Sequence, residues 1–423
     1  AAPSLCRSSR RCGPRTVMRG FWSKENVSVE ESTAGNVEPP STRVEHNALN
    51  SLGGYDAVEV SSSPAAAEAA AVTSAPLPVS NASLWWRALK LPMYSVAIAP
   101  LTVAASLCHH WYGCINVPQF GALAAGACLI IAWLNLSNDA WDAATGVDAN
   151  GSGGKAESVV RLLGGGAAAV SKVHVAAVTC LVFGAAALLK AAVTTAAAAT
   201  GTNLAGSVGA MLAAAIALGH AYQGPPFRLS YKGLGEPICF TAFGPLAVGA
   251  FYLALAAGTG GSVWAGLPAV PSLAQPGVMG AAALVGSTTS AILFTSHFHQ
   301  EDGDRAAGKL SPVVRLGLPR AVKTLRGALA AHHVLAAGMA VAGALPVMAA
   351  VGVMLAAPLA GMIEKFASAR VDTPSALFKT KYFAVRWHIV HTLLLSLGCL
   401  ADPWMPWHLA AARIPGLAIG LVF

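Results

Sequence analysis

An all-α membrane protein of nine spans is the fold this sequence predicts, and three observations predict it. The chain of 423 residues is 55% hydrophobic and only 11% charged, with a positive mean hydropathy, too apolar for a soluble domain. Nine apolar runs come close to the roughly 20 residues that cross a bilayer. They lie near 91–110, 119–138, 174–195, 205–222, 237–258, 277–297, 327–344, 346–363 and 383–401, the seventh and eighth parted only by Leu345-Pro346. The charges between the runs alternate. Loops after the first, third, fifth and seventh hold no Lys or Arg, whereas those after the second, fourth, sixth and eighth hold sixteen, Arg326 and Arg386 included. The positive-inside rule puts these charged loops on one side with the N-terminus.

Taken in order, residues 1–24 carry Arg7, Arg10, Arg11, Arg15, Arg19 and Lys24 with several serines and no acid, the composition of an organelle transit peptide. Residues 25–80 turn acidic and rich in Ser, Ala, Pro and Val, and are expected to be disordered linker. The membrane domain, 81–403, opens with Trp85 and Trp86 beside Arg87 and Lys90, an interfacial anchor before the first span. Residues 404–423 read as a C-terminal tail. The spans are rich in Ala, Gly and Val, which suits close helix crossings in lipid. The eight cysteines include no C-x-x-C pair and imply neither metal site nor disulfide framework.

The chemistry gathers at the ends of the second and sixth spans. Asn135, Asn138, Asp139, Asp142 and Asp148 fall within fourteen positions. If the apolar helix continues through them, Asn135, Asp139 and Asp142 share one face, with Cβ atoms about 5–6 Å apart. Carboxylates at a membrane helix end are costly unless a cation fills them. Mg²⁺, which keeps several waters and takes substrate phosphates, is the expected one. The second cluster, His297 to Gly317, mixes Glu301, Asp302 and Asp304 with Arg305, Lys309 and Arg315. Between them, Tyr222-Gln-Gly-Pro-Pro-Phe-Arg-Leu-Ser-Tyr-Lys presents Arg228 and Lys232 on a stiff turn, and Gly151 to Gly154 form a hinge before Lys155. Acids for a cation beside bases for anions describe a metal–diphosphate site. The pairs His297/His299 and His388/His391 are expected to be ordinary bundle histidines.

These residues resemble the UbiA-type superfamily of intramembrane aromatic prenyltransferases. The likeness spans roughly residues 84–401. The family motif N-D-x-x-D matches Asn138, Asp139 and Asp142; the motif D-x-x-x-D falls on Gln300 and Asp304, so its first acid is absent here and Glu301 or Asp302 stands nearby. Three stretches, beginning at Asn135, Pro225 and Gly308, are similar to the dihydroxynaphthoate prenyltransferases, and His297-Phe-His-Gln with Glu157-Ser-Val-Val to their plant and cyanobacterial branch. The resemblance implies a nine-helix bundle around a central apolar cavity. It implies phytyl diphosphate and 1,4-dihydroxy-2-naphthoate as substrates, with loss of CO₂ on the way to phylloquinone. It further implies Mg²⁺ held by Asp139, Asp142 and Asp304, with Asn135 and Asn138 placing its waters and Asp148 and Asp302 as further ligands. Lys155, Arg228, Lys232, Arg305 and Lys309 would meet the diphosphate, and Lys90 would orient the acceptor carboxylate. A multi-pass chloroplast membrane protein with its active-site loops facing the stroma is the matching location; no nucleic-acid partner is expected.

Rival readings are a homogentisate prenyltransferase, chlorophyll synthase, a scaffold that has lost catalysis, or a transporter. Transporter sites lie near the bilayer midplane, whereas these acids sit at one mouth, and no internal repeat occurs in the sequence.

Overall fold

The computed structural model describes residues 81–401, apart from 89, 146–157, 199–202, 258, 260–270 and 276. The expected leader, linker and C-terminal tail lie outside the described residues, as do Asp148, the Gly151–Gly154 hinge, Lys155 and Glu157. Every regular element among the described residues is helical.

A short helix α1 (Asn81–Ala88) leads through Lys90 into a 3₁₀ turn (Leu91–Tyr94) and α2 (Ser95–Tyr112). Helix α3 (Val117–Ala144) starts where Asn116 accepts the Gln119 N–H at 3.1 Å and Pro118 occupies the first turn. It runs 28 residues, so the apolar helix does continue through Asp142. A four-residue helix α4 (Val159–Leu162) precedes α5 (Gly166–Ala198) and α6 (Leu204–Gln223). After a 3₁₀ turn (Leu229–Lys232) come α7 (Gly235–Thr241), a π turn (Ala242–Leu246) and α8 (Ala247–Ala256). Pro245 lies within that π turn, where its missing N–H breaks the regular ladder. Helix α9 (Val278–Ser296) ends at the second acidic cluster, which forms α10 (Glu301–Ala306) and α11 (Pro312–Leu316). The chain closes with α12 (Leu318–Val341), α13 (Val347–Leu355), α14 (Ala357–Ser368), a 3₁₀ turn (Pro374–Lys379) and α15 (Thr380–Ala401).

Among the described residues, eight helical stretches are long and apolar enough to cross a membrane. They correspond to eight of the nine expected spans. The remaining one, 327–344, falls on α12, which is not among the eight. Gly317 and Pro319 start that helix at Leu318, so it takes in Arg320, Lys323 and Arg326 as well as the apolar run.

All ten residues of α8 are buried, which makes it the centre of the bundle. By contrast α5 leaves Val175, Val178, Val182, Phe183, Leu189 and Val193 exposed, an apolar face suited to lipid. Close crossings rest on small residues. A side chain on Gly126 would collide with Leu188, and one on Gly184 with Leu129, so α3 and α5 meet at these two glycines. The same crossing carries a polar clasp: Gln119 donates to the Ala191 carbonyl at 2.7 Å and accepts from Thr194 at 2.8 Å.

Histidines at the α9–α12–α15 contact pair with hydroxyls and with one another, leaving the buried His388 Nε2 and His391 Nδ1 without a partner among the described residues. Ser287 and Thr288 give their protons to the Leu284 and Val285 carbonyls, each at 2.8 Å. Their oxygens therefore accept from His332 Nδ1 at 2.7 Å and His388 Nδ1 at 2.9 Å. His332 Nε2 meets His391 Nε2 at 3.1 Å. His388 and His391 lie buried in the bundle, as the sequence suggested, but each has only one ring nitrogen partnered among the described residues.

Candidate active site

The last two turns of α3 carry the first acidic motif. Residues 135, 138, 139 and 142 lie three, four and seven positions apart, so one helix face presents them all. Asp139 is only 1% exposed, and both its oxygens are engaged. Lys90 Nζ donates to Oδ1 at 2.8 Å, and the Val159 backbone N–H donates to Oδ2 at 3.2 Å, capping α4. Asp142 accepts from the side-chain amide of Gln223, at the end of α6, at 2.8 Å. Asn138 is half-buried, and the buried Asn135 Nδ2 makes no hydrogen bond among the described residues.

The second motif starts at Gln300, whose carbonyl accepts the Asp304 N–H at 2.7 Å. Asp304 is buried. Lys309 donates to its Oδ1 at 3.2 Å, while its Oδ2 is buried without a partner among the described residues. Asp302 points elsewhere: its side chain is 93% exposed, and Arg305 reaches it at 3.4 Å and Glu301 at 2.6 Å.

The turn after α6 joins the two motifs. The Leu310 N–H donates to the Tyr231 carbonyl at 2.9 Å, and Arg315 donates to the Lys232 carbonyl at 2.8 Å. Burial raises the Tyr231 phenol pKa; the Asp142 charge adds to this, Thr145 and Arg228 oppose it, and Asp304 raises it further. Tyr222, half-buried at the end of α6, lies against Gly235 at the start of α7. The stretch from Gln223 to Lys232 thus touches Asp142 at one end and the loop after Asp304 at the other.

Arg228 is half-buried with its guanidinium 5.9 Å from the Tyr231 ring, while Lys232 is exposed. Arg228 and Lys90 are the two non-glycine residues among the described residues with positive φ, at 43° and 49°. A left-handed non-glycine residue costs on the order of 1–3 kcal/mol and persists only where its surroundings enforce it. Lys90 holds Asp139 and Arg228 lies against Tyr231, and both are cations.

Tyr222, Gln223, Tyr231 and Glu236 were not singled out by the sequence, although they occupy the stretch that supplied Arg228 and Lys232. Glu236 accepts from, or pairs with, His297 Nδ1 at 3.1 Å, and its Oε2 is buried without a partner. A lone acid opening an otherwise apolar span was the signal for it.

Among the described residues, no three His, Cys, Asp or Glu side chains form a cage able to hold a metal unaided. The donor set nevertheless fits Mg²⁺. It consists of carboxylate and amide oxygens, one carboxylate oxygen of Asp304 is buried and unpaired, and Mg²⁺ needs only one or two carboxylates when substrate phosphates complete its shell. An open pocket of about 600 Å³ lies elsewhere, between α3 and α5 against Trp141, Val170 and His174. Trp141 is about 100° around the helix from Asp142, so that hollow opens off the acid face.

The model of the UbiA prenyltransferase family matches residues 97–390. A chloroplastic 2-carboxy-1,4-naphthoquinone phytyltransferase from Arabidopsis thaliana is 39% identical over 320 residues, covering 76% of this chain and 78% of its own. The protein of that name from Synechocystis is 34% identical over 329 residues, covering 77% of this chain and 97% of its own. A solved UbiA homolog from Archaeoglobus fulgidus, bound to GPP and Mg²⁺, covers 74% of this chain and 99% of its own at 15% identity and a TM-score of 0.46.

Proposed function

The chain belongs to the UbiA prenyltransferase family, and from that premise we propose that it moves a phytyl group from phytyl diphosphate to 1,4-dihydroxy-2-naphthoate. CO₂ and diphosphate leave, and the product is demethylphylloquinone on the way to phylloquinone. The observation that carries this reading is the segment after α6, where Gln223 holds Asp142 at 2.8 Å and the Tyr231 carbonyl accepts from Leu310 in the loop of Asp304 at 2.9 Å. The two similar phytyltransferases supply the choice of chain and acceptor.

The allylic C–O bond breaks with its electron pair leaving on diphosphate. The barrier is charge separation, which fixed opposite charges lower. Asp139, Asp142 and Asp304 would hold Mg²⁺, with Asn135 and Asn138 turned to its waters and Asp148 as an outer partner, while Asp302 faces solvent and stands apart. When bound, Mg²⁺ would offset the diphosphate charge and act as a Lewis acid. Arg228, Lys232 and Lys309, with Lys155 and Arg305, hold the leaving oxyanion, and the Tyr231 phenol keeps its proton to donate toward it. A central apolar cavity in a nine-span bundle holds the tail and excludes water that would trap the cation. The acceptor's carboxylate-bearing ring carbon then forms the new C–C bond. Its bond to the carboxylate breaks, and that electron pair restores aromaticity as CO₂ departs.

The two similar phytyltransferases are named for a naphthoquinone acceptor. A quinone ring is electron-poor and a weak trap for a carbocation, so the quinol is the reacting form proposed for this chain. The proposed location is a chloroplast membrane, crossed several times, with the basic loops toward the stroma.

Membranes given phytyl diphosphate, Mg²⁺ and a panel of acceptors test the proposal. The panel holds carboxyl-labelled naphthoate as quinol and as quinone, homogentisate, and chlorophyllide. Release of labelled CO₂ from the quinol supports it. Product only with homogentisate or chlorophyllide, or from the quinone without reductant, overturns it.

A further inference from the structure

Asp139 already holds a cation. The Lys90 ammonium sits 2.8 Å from Oδ1, the Val159 N–H takes Oδ2 at 3.2 Å, and the carboxylate is 1% exposed. A divalent ion arriving at Oδ1 would stand within about 4 Å of that ammonium, a separation at which like charges repel strongly in a protein. Asp304 differs, because its Oδ2 is buried and unpaired and can take a metal without displacing anything. Lys90 is equipped to move. Its left-handed backbone is pinned by the Met93 N–H on its carbonyl at 2.8 Å, while its side chain is 22% exposed on a flexible four-carbon stem.

We propose that Lys90 and a divalent metal ion compete for Asp139, so that metal loading hands the Lys90 ammonium to a substrate oxyanion. The inference rests on the metal-dependent reading above and adds an order to it: the anion site at Lys90 exists only once the metal has taken Asp139. The oxyanion is either a diphosphate oxygen or the acceptor carboxylate. By linkage, metal and that anion must strengthen each other's binding by the same factor.

The test uses the full chain in lipid nanodiscs. Mn²⁺ binding is followed by electron paramagnetic resonance in the wild type, K90M and K90R. Removing the competing ammonium in K90M should tighten Mn²⁺ by at least about fivefold, the low end of ordinary coupling between sites. K90R, which keeps the charge, should stay near the wild type. A folded K90M that binds Mn²⁺ no tighter overturns the inference. A second readout needs no variant: acylation of Lys90 in the wild type, quantified by mass spectrometry. Mg²⁺ alone should raise its reactivity; inorganic diphosphate or 1-hydroxy-2-naphthoate, added afterwards, should protect it again and so identify the oxyanion. Unchanged reactivity with Mg²⁺, or protection by neither anion, overturns the inference while leaving the proposed reaction standing. Failure of the wild type to bind Mn²⁺ at all would remove the proposed reaction's metal as well.

Discussion

The two acidic motifs are held in opposite ways. Asp139 and Asp142 are fixed by partners far away in sequence: Lys90 is 49 residues off, Val159 20 and Gln223 81. The second motif is knitted from neighbours. Lys309 lies five residues beyond Asp304, and Arg305 lies three and four beyond Asp302 and Glu301. The first acid therefore reports how the bundle is assembled, while the second is largely organised by its own loop. One carboxylate has both oxygens engaged; the other keeps one unpaired. That difference makes Asp139 the exchangeable side of the site and Asp304 the receptive side.

The strongest way to break the comparison is to neutralise each acid. D139N and D304N should each lower kcat by at least about 10²–10³-fold, the usual cost of losing one preorganised electrostatic contact, with the protein still inserted in membranes. Near-normal turnover in either would remove that acid from the site. Smaller losses sharpen it. Q223A takes away one hydrogen bond to a charged group, so kcat/KM should fall by about tenfold. An unchanged value would mean that Asp142 needs no help from α6.

Tyr231 tests whether both acids face one point. Its folded pKa is raised above the ordinary value of 10.0, by burial first and by Asp142 next. Because the folded value is the higher one, its contribution to stability is complete below the unfolded pKa and is lost as pH climbs through the raised value. Ultraviolet difference titration of wild type against Y231F should show this phenol ionising late, and earlier in D142N. A titration at the ordinary value would contradict the placement. The smallest effect belongs to D302N. With its side chain 93% exposed, its removal should change turnover by less than about twofold; a larger loss would return Asp302 to the metal.

Legibility in the sequence followed the same division. Hydropathy located eight helices long and apolar enough to cross a membrane, because length and composition suffice for that. The start of α12 was missed because Gly317 and Pro319 open a helix whose first turns are basic, before any apolar run. Helical spacing put Asp139 and Asp142 on one face. Nothing in it could pair Lys90 with Asp139 or Gln223 with Asp142, since such contacts arise only when distant helices pack. Lys90 was marked as a cation for the acceptor, yet its carboxylate partner within the chain was not. Asp302 shows the converse, since its acid sits in the right loop while its side chain faces outward.

The account depends on Asp139 and Asp304 grasping one ligand. A double-mutant cycle on Mn²⁺–diphosphate affinity, comparing wild type, D139N, D304N and the double variant, measures that directly. Shared ligation predicts a coupling energy above about 0.5 kcal/mol, with the double variant losing less than the two single losses combined. Losses that simply add would assign the acids to separate sites and contradict the account.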